Sequence, residues 1–179
     1  MTTSPITTVR TCSLMAIGLL ALTLAAGAHN EPGDEPDARL PISVRIARKP
    51  KATVDDGYRL VARLAQTHGR IDARTHVDEL PFDQLQATLL DLDLVPDSSA
   101  IDADDELERD HLAYITASYL DIKPGLLTSI FGMTRRYAYR EMQHRGLMVQ
   151  GQPRQTVSGS ELLSVLTRIA IQIDRRENK

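Results

Sequence analysis

Residues 134–173, TRRYAYREMQHRGLMVQGQPRQTVSGSELLSVLTRIAIQI, decide the fold. Thr134 is a good helix cap, and the pattern after it predicts a helix that runs to Arg145 and stops at Gly146. Leu147, just past the glycine, supplies the apolar contact that often accompanies a glycine C-cap. A short polar loop follows. Ser158-Gly159-Ser160-Glu161 then has the spacing of a capping box, in which the serine oxygen takes one orphan amide and the glutamate reaches back to another. Leu162, Val165, Leu166, Ile169 and Ile173 recur at helical spacing behind it. Two helices joined by a loop are therefore expected here.

Residues 81–120 have a similar layout. Pro81 to Leu92 places Phe82, Leu85, Leu89 and Leu92 at helical spacing, and Pro96 stands as a stop. A second helix is expected from about Asp105 to Leu120, with Asp105 and Glu108 at capping-box spacing. Leu85, Leu89, Leu94 and Val95 correspond to Ala138, Met142, Leu147 and Met148. After a loop three residues shorter in the second unit, Leu107, Leu112 and Ile115 correspond to Val157, Leu162 and Val165. The correspondence is one of apolar pattern, and it reads either as a repeat or as what any two helical hairpins share. A further helix over Asp56–Gln66, ended by Gly69, is either the remnant of a third unit or a lid over the other two. A short helix is expected over Pro124–Phe131. The expected fold is all-α: about six helices built from two helix-loop-helix units, about 81–120 and 134–173, plus an N-terminal helix, within a domain spanning 53–179.

The units resemble a degenerate S-layer homology module. That family has a helix ending in a Leu-x-x-Gly-Leu/Ile turn, a Gly-rich loop, and a second helix opened by Thr-Arg-Ala-Glu. Here Arg145-Gly146-Leu147-Met148 is followed by Gly151-Gln152-Pro153, and Ser158 and Glu161 stand at the Thr and Glu of the helix opening. In the first unit Arg109 stands at the Arg. The family's Trp is absent from both units, Tyr137 lies three residues out of register with it, and Gly159 replaces the second Arg. The resemblance covers about 95 of the 179 residues. It implies adhesion to anionic cell-wall polysaccharide, with Arg109 inheriting part of the binding role.

Toward the N-terminus the character changes. Thr11 to Ala28 carries no charge, Arg10 precedes it, and Ala26-Gly27-Ala28 is a small-x-small exit. The strongly apolar part, Leu14 to Ala26, would reach about 20 Å as a helix, short of a hydrocarbon core of roughly 30 Å. Residues 1–28 thus read as a secretory signal peptide. Cleavage after Ala28 would remove Cys12, the one cysteine, and leave 20 basic against 24 acidic residues. Residues 29–52, with Pro32, Pro36, Pro41 and Pro50 and four carboxylates, read as a disordered acidic linker. Ile42, Val44 and Ile46 alternate, so a short edge strand is the other reading there. The expected location is outside the cytoplasm, in the periplasm or at the cell surface.

Composition narrows the chemistry. One cysteine excludes a disulfide framework, cysteine-ligated zinc and haem c attachment. A net charge of −3 and 4% aromatics with no Trp argue against nucleic-acid binding. No nucleophile elbow, P-loop, dinucleotide fingerprint or HExxH is present, so no cofactor, metal site or catalytic residue is assigned. Nine carboxylates crowd residues 91–110; Asp102, Asp104 and Glu106 have the start of an EF-hand spacing, but Leu107 and Ala113 break it. A solvated, dipole-matched helix start is the simpler reading. Arg135, Arg136, Arg140, Arg145 and Arg154 form a basic cluster. These arginines either pair with the acidic loop of the neighbouring hairpin or simply face water, or else they meet an anionic polymer or the acidic patch of a second copy, since guanidinium forks suit carboxylate, phosphate and acidic sugar. Arg109, Arg136, Arg140 and Arg154 are the candidate contacts for an envelope polysaccharide or envelope protein. An apolar face of Leu126, Leu127, Ile130 and Phe131 would instead suit a periplasmic regulator of another protein. A divergent hydrolase would need converging carboxylates, or a His beside one.

Overall fold

In the computed structural model, Ala52, Leu107 and Val157 are tied into a closed ring by three backbone hydrogen bonds. Ala52 N–H donates to the Val157 carbonyl (2.8 Å), Val157 N–H to that of Leu107 (2.8 Å), and Leu107 N–H to that of Ala52 (2.9 Å). All three side chains are fully buried. Two isolated antiparallel bridges, Thr53 to Glu106 and Glu108 to Thr156, flank the ring. A backbone group in a dry core needs a partner, and here three non-helical segments satisfy one another. The structure describes residues 40–96, 101–122 and 133–177, all within the second of the chain's two units, 36–179.

The described chain is all-α, with six helices: α1 (Ile42–Ala47), α2 (Val54–Thr67), α3 (Phe82–Asp91), α4 (Arg109–Tyr119), α5 (Arg135–His144) and α6 (Gly159–Glu177). Each ring residue sits just before a helix, so α2, α4 and α6 start from one centre and touch one another. The other three helices pack around them. The main neighbour of α1 is α6, that of α3 is α2, and that of α5 is α4. Each peripheral helix therefore covers a central helix other than the one that follows it in the chain. Leu85 and Leu89 of α3, Leu112 and Ile115 of α4, Met142 of α5 and Leu162 and Ile169 of α6 are all fully buried. Truncating any one to alanine would cost about 2–5 kcal/mol.

Four helices end alike. His68, Leu120, Leu92 and Arg145 are C-caps, and the next residue in each case has positive φ: Gly69 (70°), Asp121 (47°), Asp93 (55°) and Gly146 (68°). The N–H one step further donates back to the helix in each: Arg70 to Ala65, Ile122 to Ala117, Leu94 to Leu89, and Leu147 to Met142. That is the Schellman pattern. The two glycines announce it in the sequence. The two aspartates do not, although a short polar side chain tolerates the left-handed region better than most.

The structure corrects three expectations. Residues 42–47 are neither linker nor edge strand; they form α1, and Ile46 is only 1% exposed. The Ile46 carbonyl lies so close to Gly159 that a Cβ there would stand 1.6 Å from it. Gly159 N–H also donates to Lys49 O (3.0 Å), which seats the end of α1 on the start of α6. Second, α4 begins at Arg109, not Asp105, and its cap, Glu108, makes no side-chain cap bond. Leu107 is needed in extended conformation for the ring. Third, only half of the capping box at Ser158 forms. Glu161 N–H donates to Ser158 Oγ (3.2 Å), while the Glu161 carboxylate turns to Arg109 instead. The signal peptide, most of the linker, the 124–131 helix and its apolar face lie outside the described residues. Among the described residues no helix is long and apolar enough to cross a membrane.

Candidate functional site

The ring gives three comparable starting points, so offsets from it compare the helix openings directly. Two residues on stand Val54, Arg109 and Gly159; three on, Asp55, Asp110 and Ser160; four on, Asp56, His111 and Glu161. Arg109 is held from both sides. Its Nε and Nη2 donate to the two Glu161 oxygens (2.8 and 3.0 Å), and its Nη1 donates to Gln155 Oε1 (2.6 Å). The pair is mostly buried, with side chains 11% and 17% exposed. Gly151 packs against the guanidinium so tightly that a Cβ would meet Nη1 at 1.8 Å. This bidentate fork joins α4 to α6. The hydrogen bond to Glu161 also holds the guanidinium's pKa above its ordinary value. Arg109 is a structural clamp between two helix starts.

The other arginines behave differently. Arg136 and Arg154 line one cavity of about 620 Å³, together with Thr134, Arg135, Gln152 and Asp110. Thr134 caps α5 by accepting from Tyr137 N–H (3.3 Å), which fixes where Arg135 and Arg136 leave the helix. Pro153 O accepts from Asp110 N–H (2.9 Å), which holds the Arg154 loop against the first turn of α4. Arg135 and Arg154 also line an adjoining cavity of about 550 Å³ that reaches Glu108 and His111. None of Arg135, Arg136 and Arg154 has a hydrogen-bond or ion-pair partner among the described residues. Asp105, Glu106 and Glu108 of the acidic loop line that adjoining cavity with Arg135 and Arg154 but form no ion pair with them, and Glu106 is engaged by Lys51 and Thr156. Of the four arginines singled out from the sequence, two therefore meet in one cleft. Arg109 is held by Glu161 elsewhere, and Arg140 is exposed one turn beyond Arg136 on α5.

No protein-family model matches the chain, and no curated protein or solved structure is detectably similar to it. The site therefore stands on its own geometry.

Two buried groups border the cleft. Asp110 is only 9% exposed, and its Oδ1 has no hydrogen-bond partner. The sequence reading places Asp110 within a solvated acidic run; the ring at Leu107 instead turns it inward. His111, 3% exposed, has its Nε2 3.3 Å from the Tyr58 hydroxyl, with the two rings edge to face. Burial, and then the nearby Arg135 charge, lower the imidazole pKa to about 4, while burial raises the Tyr58 phenol to about 12. Both groups are uncharged at neutral pH. No cluster of three or more His, Cys, Asp or Glu placed to hold a metal occurs among the described residues. Sequence reasoning placed Arg135 in the basic cluster but not among the four contacts, and read Asp110 only as one of the acidic run. The available signal was the shared offset of Asp55 and Asp110 from Ala52 and Leu107.

Proposed function

We propose that the chain is an exported, non-catalytic envelope protein whose α4–α5 cleft binds an anionic polysaccharide of the cell envelope. One observation carries this reading: Arg135, Arg136 and Arg154 line one open cavity, and none of them has a hydrogen-bond or ion-pair partner among the described residues. Three guanidinium groups beside one carboxyl group, that of Asp110, leave the lining positive, and an arriving anion relieves their mutual repulsion. Arg140, exposed beside them on α5, extends the positive face along a polymer. The likeness of two helix openings, at Arg109 and at Ser158–Glu161, to the Thr-Arg-Ala-Glu start of S-layer homology modules supports the same reading. So does the signal-peptide pattern at residues 1–28, which would put the cleft where such polymers are found. Arg109, first candidate by motif, acts here as scaffold.

The test is retention of the full chain on immobilised acidic envelope polysaccharide across ionic strength. Retention at low salt, lost at high salt, is expected, because exposed charge contacts are screened beyond about 10 Å at 0.1 M. The triple variant Arg135→Ala/Arg136→Ala/Arg154→Ala should lose it. Salt-independent retention, or full retention by the triple variant, would overturn the proposal. Export is tested separately by N-terminal sequencing of the secreted chain, which should begin at His29.

A further inference from the structure

The cleft holds a feature that a simple anion trap does not need. At its floor, Asp110 presents a carboxylate oxygen with atomic burial close to complete and no donor within reach. Leaving a buried charged acceptor unpaired costs more than leaving a neutral one. No described arginine forms an ion pair with it, although three line the same cavity. The first turn of α4 supplies part of the compensation, since amides at a helix start favour a negative charge. It does not supply a hydrogen bond to Oδ1.

The chain offers a comparison at the same position. Asp55 has the same offset from the ring and its Oδ1 is likewise buried without a partner, but its Oδ2 accepts from Arg59 Nε (2.8 Å), four residues on in the same helix, whereas the Asp110 carboxylate accepts no hydrogen bond among the described residues. Four residues after Asp110 the residue is Tyr114. The cation that α2 provides for its aspartate is therefore missing from α4, and Asp110 borders the arginine-lined cavity instead.

We propose that Asp110 is the specificity determinant of this cleft. The bound unit carries a hydrogen-bond donor beside its negative charge, so that the arginines take the charge while a hydroxyl donates to the part of the Asp110 carboxylate that borders the cavity. This inference rests on the cleft's being an anion site and goes further, in selecting a hydroxylated anion, such as a sugar acid, over a bare one. Asp110 repels an anion that brings no donor, which gives the site discrimination as well as affinity.

The experiment uses the full chain with two carboxylate polymers at matched carboxylate concentration. Polygalacturonate has hydroxyls next to its charges; polyacrylate has none. Polygalacturonate should bind roughly tenfold more tightly, the size expected of one hydrogen bond to a charged group. Asp110→Asn and Asp110→Ala should each bring polygalacturonate down toward polyacrylate, with polyacrylate binding unchanged or slightly tighter. Far-UV circular dichroism melts identify whichever variant remains folded. Equal binding of the two polymers by the unaltered chain, with both lost in Arg154→Ala, would overturn the role of Asp110 and leave the cleft an anion site. Equal losses of both polymers in a folded Asp110 variant would do the same. Binding of neither polymer by the unaltered chain would overturn both proposals.

Discussion

Asp55 and Asp110 stand at the same offset from the central ring, and each borders a cavity of about 600 Å³, yet the two surroundings are opposites. Around Asp55 two of the cations, Arg59 and Lys49, are engaged. Arg59 binds the Asp55 carboxylate and donates to the carbonyls of Val77 (3.0 Å), Asp78 (2.8 Å) and Leu80 (3.1 Å). Lys49 reaches both oxygens of Asp56 at 2.8 Å, and Asp56 in turn accepts from Thr53 N–H to complete the capping box. Each aspartate keeps one buried oxygen without a donor, but around Asp110 the arginines are unengaged and the carboxylate accepts no hydrogen bond among the described residues. The first cleft uses its charges to hold the 77–80 loop and the end of α1 in place. The second keeps its charges available. Similar charge content thus gives scaffold in one place and a candidate binding site in the other, and the difference lies in hydrogen bonds, not in composition.

The largest effect that would break this comparison is expected in the first cleft. Arg59→Ala removes one partly buried ion pair and three bonds to carbonyls, and it leaves Asp55 unpaired. A loss of about 3 kcal/mol is expected, within the range for breaking such a pair from one side. In a domain of this size that lowers the melting temperature by roughly 10 °C. Thermal denaturation of the variant checks it. A change below about 1 kcal/mol would show that the Arg59 network holds little, and the distinction between the two clefts would fail. Arg109→Ala should behave like Arg59→Ala, because its Glu161 and Gln155 bonds are also internal.

The next effect is a pH dependence centred beside the second cleft. His111 is held neutral, with a folded pKa of about 4 against about 6.5 when unfolded. The unfolded chain therefore binds more protons between those values. The His111 contribution is complete above pH 6.5 and is lost as pH falls toward 4, by about 3 kcal/mol over the full window. Chemical denaturation at pH 7 and pH 5 should show this loss. His111→Gln should flatten that part of the profile, because glutamine cannot take up the proton.

How much of this was legible follows from the same residues. Gly69, Gly146, the Ser158 cap and the leucine stripes are local signals, and they marked the ends and buried faces of five helices at a resolution of a few residues. α1 was not legible. Six residues between prolines do not sustain a helix alone, and Ile42-Val44-Ile46 alternates like a strand. Its stability comes from Ile46 packing against α6, where Gly159 leaves room for the backbone to approach. That contact spans more than a hundred residues of chain. The candidate site shows the same limit. Motif position favoured Arg109, but its Glu161 partner lies 52 residues away. A residue's chemistry can be read from sequence, but whether that chemistry is already occupied depends on contacts made by the fold.

The smallest effect is the sharpest test of the contrast. Arg136→Ala and Arg154→Ala remove exposed side chains with no hydrogen-bond or ion-pair partner among the described residues, so each should change stability by less than about 0.5 kcal/mol, as for most surface substitutions. Relief of mutual repulsion makes a slight stabilisation the expected sign, and added salt should erase it. The same substitutions should cut retention on an acidic polysaccharide. An arginine that is neutral for the fold and needed for binding is what an open site requires, whereas Arg59 should show the reverse. A costly Arg154→Ala would instead make the Arg154 loop a strut against α4, and both clefts would then serve the fold.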